Sequence, residues 1–212
     1  MLHQLSIHEF SEKLAAATPP PGGGSVAALS GLTGAGLLEM VLQVSGNCPE
    51  FAGESVLFTE KKNCLAKLHQ QLEQLIDRDA AVLRQLLEVY RAREKDSTIA
   101  RTAFQNALRE AAEVPLVTAR ACLEVLEISR SLLGRIHPLT AGDLAVGALT
   151  SYAGLRGALL NTAMNVKQLE DDTLVSALHG QVVLLSASAE TLIADIRDNF
   201  RKNEDYVILR DI

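Results

Sequence analysis

Along residues 55–93, apolar side chains return at three- and four-residue steps: Leu57, Leu65, Leu68, Leu72, Leu75, Ile76, Ala80, Leu83, Leu87 and Tyr90. That period places them on one face of a helix. At 1.5 Å per residue the helix would be about 55 Å long, so it must pack along much of the molecule. Shorter runs predict further helices on either side. Ser6 followed by Glu9 has the spacing of a capping box and opens a helix to about Ala17, which Pro19, Pro20 and Pro21 end. Ser25 can cap a second helix to about Ser45, whose small residues Ala27, Gly31, Gly34 and Ala35 let another backbone come close. After the long helix, "REKDST" turns the chain. Ser97 or Thr98 can then cap a helix reaching about Leu133, with a kink expected at Pro115. "GRIHPLTAGD" is the next break, and two more helices follow, over about 141–166 and 171–200. No stretch alternates as a strand would. The pattern predicts one all-α domain over residues 1–212, an elongated bundle of about six helices.

Composition agrees and narrows the function classes. Of 212 residues, 48% are hydrophobic but only 4% aromatic, with no Trp, which suits helices packed through Ala, Leu and Val. The net charge of −6 disfavours nucleic acid or anionic lipid as a partner. Cys48, Cys64 and Cys122 are few, odd in number and far apart, so free thiols in a reducing compartment are expected. Cys122, in "RACLEVLEI", reads as core. The opening "MLHQLSIHEF" lacks a basic segment followed by an apolar one. The weakly charged stretch 22–49 is rich in Gly and interrupted by Glu39 and Gln43, so a membrane span is not expected. A cytoplasmic protein follows. Neither the five His nor the three Cys form a metal-ligand spacing, and no Ser-His-Asp arrangement suggests a hydrolase.

Three stretches carry a resemblance when taken in order: "PPPGGGSVAALSGLTGAGLLEMV", "LIDRDAAVLRQLLEVY" and "GDLAVGALTSYAGLRGALLNTAMNVKQLEDD". Together they resemble the cyclodeaminase family, comprising the C-terminal domain of formiminotransferase-cyclodeaminase and free-standing relatives that include methenyltetrahydrofolate cyclohydrolases. The likeness covers nearly the whole chain with comparable spacing. It implies a homodimeric helical enzyme acting on a tetrahydrofolate derivative, without metal or other cofactor. Two segments depart from the family pattern. "GNCPEF" replaces a lysine-rich Gly-Lys-Lys-Lys-Tyr segment, and "RARE" at Arg91–Glu94 replaces Lys-Leu-Pro-Lys. Those lysines are candidate anchors for a folate's glutamate tail.

The chemistry the resemblance implies concerns one carbon held between N5 and N10 of tetrahydrofolate. N10 attacks a formimino carbon and ammonia leaves, or water adds to a methenyl carbon and the ring opens. Both routes pass through a tetrahedral carbon and need protons moved, work suited to a positioned carboxylate. The resemblance gives that part to Asp79. Asp77 lies two residues earlier, about 200° around the helix, and cannot share the same site. The other reading of Asp79 is a helix carboxylate paired with Arg78 or Arg84. Pro21, Gly22, Gly23, Gly24 and Ser25 would present bare backbone at a helix N-terminus to a substrate, or else simply form a flexible turn. Asn161 and Asn165, four apart, share a helix face, and each offers a donor and an acceptor suited to a pterin edge. Asp143 can cap a helix starting at Leu144 or contact the ligand. Arg156 and Lys167 read as solvated surface residues.

Overall fold

The structure, a computed structural model, describes residues 1–93 and 99–202. Six α-helices account for most of them: α1 (Ile7–Ala15), α2 (Gly23–Gly46), α3 (Ser55–Arg93), α4 (Ile99–Ser131), α5 (Ala141–Val166) and α6 (Asp172–Lys202). Short 3-10 turns occupy Leu2–Gln4, Pro49–Glu54 and Pro138–Thr140, and no strand occurs among the described residues. The expected all-α class and helix count are thus observed. Ser97 and Thr98, the expected cap of α4, lie outside the described residues.

The capping box forms as its spacing predicts. Ser6 Oγ accepts from the Glu9 amide, and the Glu9 carboxylate accepts from the Ser6 amide at 2.8 Å. Helices α2, α3, α4 and α5 pack in a ring, each against its neighbours in that order and α5 back onto α2, while α6 lies against α4 and α5. Leu38, Leu42, Leu65, Leu72, Leu126 and Leu155 are fully buried between them. Each such side chain contributes about 1.5–3 kcal/mol relative to an exposed one. The apolar stripe read for α3 is buried from Leu65 to Ala80. At its far end Tyr90 is exposed and meets Phe104 across the rings.

The small residues of α2 serve the close approach they predicted, and the partner is α5. A Cβ on Gly34 would lie 2.7 Å from the Gly147 carbonyl, and one on Gly154 would lie 2.6 Å from the Ala27 carbonyl. Any side chain there would push the two backbones apart. The order of these contacts makes α2 and α5 antiparallel: Gly34 meets Gly147, Gly31 meets Gly154, and Gly23 meets Asn161. By length and composition α2 and α6 could each cross a bilayer. One face of α2 is spent on the bundle, with Ala28, Ala35, Leu38, Val41 and Leu42 inaccessible, while Met40 and Val44 are exposed.

Helix α4 continues through Pro115, which lacks the amide that would bond the Ala111 carbonyl. Helix α5 supplies the replacement. Asn165 Nδ2 donates to the Ala111 carbonyl at 2.7 Å, and Thr162 Oγ1 donates to the next carbonyl, Ala112, at 3.2 Å.

Candidate active site

Helix α2 starts three residues earlier than its sequence suggests. Its N-cap is Gly22, in extended conformation and without a side chain to accept from the first amides. Ser25 therefore lies inside the helix and is not its cap. The missing acceptor comes from α3. Asp79 accepts from the Ser25 amide and from Ser25 Oγ, the latter at 3.0 Å. A carboxylate on a helix N-terminus meets both unpaired amides and the positive end of the helix dipole.

That seat explains one of the three glycines. A Cβ at Gly24 would overlap the Asp79 carboxylate, so any other residue there would displace it. Gly23 is exposed and faces the Asn161 amide, with its Cβ position 3.4 Å from Asn161 Nδ2. Gly22 faces Leu83 of α3, and Pro21 before it is buried. Three helices thus converge at one end of the bundle: the N-terminus of α2, the middle of α3 and the last turns of α5.

Asp79 is half-buried, and burial is the largest influence on its carboxyl, raising its pKa above the ordinary carboxylate value. The two bonds from Ser25 oppose that rise without cancelling it. A carboxyl in this state is closer to exchanging a proton near neutrality than a solvated aspartate is. The alternative pairing with Arg78 or Arg84 does not occur, and both arginines point to solvent. Asp77 turns away from the site. It accepts from the Leu2 amide and meets His3 Nδ1, fastening the N-terminal 3-10 turn to α3.

The structure brings Pro21, Gly22, Gly23, Gly24, Ser25, Asp79 and Asn161 together, but not all the sequence-derived candidates. Asn161 Nδ2 donates to the Gly157 carbonyl of its own helix at 3.1 Å, and its carbonyl oxygen lies 3.5 Å from the Gly23 Cβ position. Asn165 spends its amide on the carbonyl freed by Pro115, as described above. Asp143 sits in the first turn of α5, some 18 residues or about 27 Å along that helix from Asn161. It is not the cap either, because the Pro138–Thr140 turn runs directly into α5 and Thr140 occupies the cap position. Cys122 is core as expected, its thiol pushed up to about 12 by burial. Among the described residues no cluster of three or more His, Cys, Asp or Glu side chains could hold a metal ion. Sequence reasoning missed Leu83, which faces Gly22; its place in the α3 stripe marked it only as core.

Comparison with known proteins follows the same lines. The sequence profile of formiminotransferase-cyclodeaminase matches residues 6–183. A methenyltetrahydrofolate cyclohydrolase of Methylorubrum extorquens is 29% identical over 169 residues, spanning 78% of this chain and 81% of that protein. The mouse formimidoyltransferase-cyclodeaminase is 29% identical over 197 residues, 89% of this chain but 36% of the mouse protein. The chain therefore spans about a third of that relative's length. The crystal structure of formiminotetrahydrofolate cyclodeaminase from Thermotoga maritima shares the fold, with a TM-score of 0.87 over 94% of this chain and 97% of that one at 21% identity.

Proposed function

The chain belongs to the formiminotransferase-cyclodeaminase family, and on that premise we propose that it is a folate one-carbon enzyme, a formiminotetrahydrofolate cyclodeaminase or methenyltetrahydrofolate cyclohydrolase with Asp79 as general acid and base. The observation that carries the reading is the seat of Asp79: a partly desolvated carboxyl on the N-terminus of α2, with the exposed backbone of Gly23 beside it. In cyclodeamination the bond from N10 to the formimino carbon forms first. Asp79 takes the proton that N10 sheds and returns one to the nitrogen that leaves as ammonia. In cyclohydrolysis it takes a proton from the water adding to the methenyl carbon and returns one to N5 as the ring opens. Proton transfer of this kind is worth about 10²–10⁴-fold. Neither step calls for a metal or a redox cofactor, so a tetrahydrofolate derivative is the one small molecule required.

We place the protein in the cytoplasm, without nucleic acid or membrane partners, and as a single domain that forms a homodimer. The outer face of α5 supports the last point. Val146, Leu149, Leu160 and Met164 are 48–66% exposed there, with Ala153 between them. Val146, Ala153 and Leu160 recur at seven-residue steps, a stripe that is self-complementary about Ala153. An antiparallel two-fold pairing would set Val146 against Leu160 of a second copy and Leu149 against its Gly157. The same pairing would carry Asp143 toward the Asn161 end of the second copy, reuniting the two ends of the candidate site. Sedimentation at micromolar concentration checks this, and a compact monomer would defeat it.

A second reading, a binding or assembly protein that kept the fold, draws its support from the replaced lysine segments. Equilibrium binding of tetrahydrofolate derivatives, followed by absorbance assays of methenyl ring formation and opening, separates the two. Turnover supports the enzyme; tight binding without turnover supports the second reading.

A further inference from the structure

Ser25 is inaccessible to solvent, so its hydroxyl is closed off from the surface at which a ligand would bind. It has two acceptors at the same distance, Asp79 Oδ2 at 3.0 Å and the Ile76 carbonyl at 3.0 Å. A hydroxyl has one hydrogen to donate and lone pairs with which to accept. It can serve only one of these acceptors at a time. We propose that Ser25 is a positioning residue for Asp79, its hydroxyl donating to the carboxylate when Asp79 is charged and turning to the Ile76 carbonyl when Asp79 holds a proton. The role rests on the acid/base reading of Asp79 given above.

The arrangement keeps buried groups paired in both states. With Asp79 charged, the hydroxyl and the Ser25 amide both donate to it, and the Ile76 carbonyl keeps its bond within α3. With Asp79 protonated, a donor aimed at it is worth less, and the carbonyl receives the hydroxyl. The proton can therefore come and go without stranding a buried polar atom, which would cost about 1–3 kcal/mol each time. Arg78 and Arg84 of α3 point to solvent, and other ionisable groups of the surrounding helices are engaged elsewhere. Asp77 of α3 binds the N-terminal turn, Glu39 of α2 lies beside His69, Arg156 of α5 pairs with Glu190 of α6, and Cys122 of α4 is neutral in the core. Serine is thus the polar side chain bonded to this carboxylate.

The test is a titration of the Asp79 carboxyl by carbon NMR in the full chain, assigned by the signal that Asp79→Asn removes. It is run on the parent, Ser25→Ala and Ser25→Cys, with pH–rate profiles on the same samples. Losing a donor to the charged form raises the midpoint, by about one pH unit in Ser25→Ala. Ser25→Cys, close in size with a weaker donor, should fall between and keeps the comparison if the alanine variant fails to fold. The acidic limb of kcat should move by the same amount, with KM within twofold because Ser25 is out of the ligand's reach. An unchanged Asp79 midpoint, or lost turnover with an unmoved profile, overturns the role. A shifted midpoint in a parent that turns over no folate sustains the Ser25–Asp79 coupling and overturns the enzymatic reading instead.

Discussion

Asp77 and Asp79 are two residues apart on one helix, and their surroundings have little in common. Asp77 is an anchor: it gathers the Leu2 amide and the His3 ring, holding the first turn of the chain against α3. Asp79 meets the start of α2, where burial outweighs the two bonds Ser25 offers. A half-turn of helix thus separates a carboxylate that ties the structure together from one whose charge the fold resists. Residue type and local motif are shared; the elements packed on each face decide what each aspartate does.

The largest effect expected from breaking this contrast is on turnover. Asp79→Asn keeps the shape and can still hydrogen-bond, but it cannot take and return a proton. Turnover should fall by about 10²–10⁴-fold with ligand affinity little changed, as steady-state rates and binding titrations would report. Gly24→Ala attacks the same carboxylate from the other side. Its Cβ overlaps the seat of Asp79, so a loss of about 1–3 kcal/mol in denaturant unfolding is expected, together with loss of turnover. Gly180→Ala is the matched control, because nothing lies within 4 Å of that Cβ. It should gain about 0.5–1 kcal/mol from better helix propensity.

Asp77→Asn should separate anchor from acid. Weakening the clamp on Leu2 and His3 should lower stability by about 1 kcal/mol, while turnover stays within about threefold of the parent. The smallest effect is a pH dependence. Because the folded pKa of Asp79 is raised, its contribution to stability is complete below the unfolded value of about 4 and is lost as pH rises through the folded value. Asp79→Asn should therefore melt about 2–4 °C above the parent near neutrality, with the two curves converging by about pH 3. The variant that abolishes proton transfer should be the more stable protein.

Helix boundaries were legible wherever apolar period and punctuation agreed. The "HPLTAG" break and the small-residue run after it place α5 at residues 141–166, where it is found. The start of α2 was not legible, since its acceptor lies 54 positions away on α3 and no local spacing announces it. Asp79 and the glycines were singled out through a resemblance, and geometry supplied the reason they belong together: a side chain at Gly24 would occupy the carboxylate's place. The pairing of Asn161 with Asn165 followed from helical spacing alone. Spacing could not reveal that one amide faces Gly23 while the other repairs the hydrogen bonding of α4.

That repair has a consequence for how this sequence can drift. Pro115 leaves the Ala111 carbonyl without its own donor, and Asn165, on a different helix, fills the gap. The two positions are therefore physically coupled. Replacing Asn165 alone orphans a carbonyl inside the bundle, whereas replacing Pro115 first, with a residue that carries an amide hydrogen, lets α4 close its own ladder and sets position 165 free. The order of substitution matters: the path through the proline is open, and the path through the asparagine crosses a folding defect.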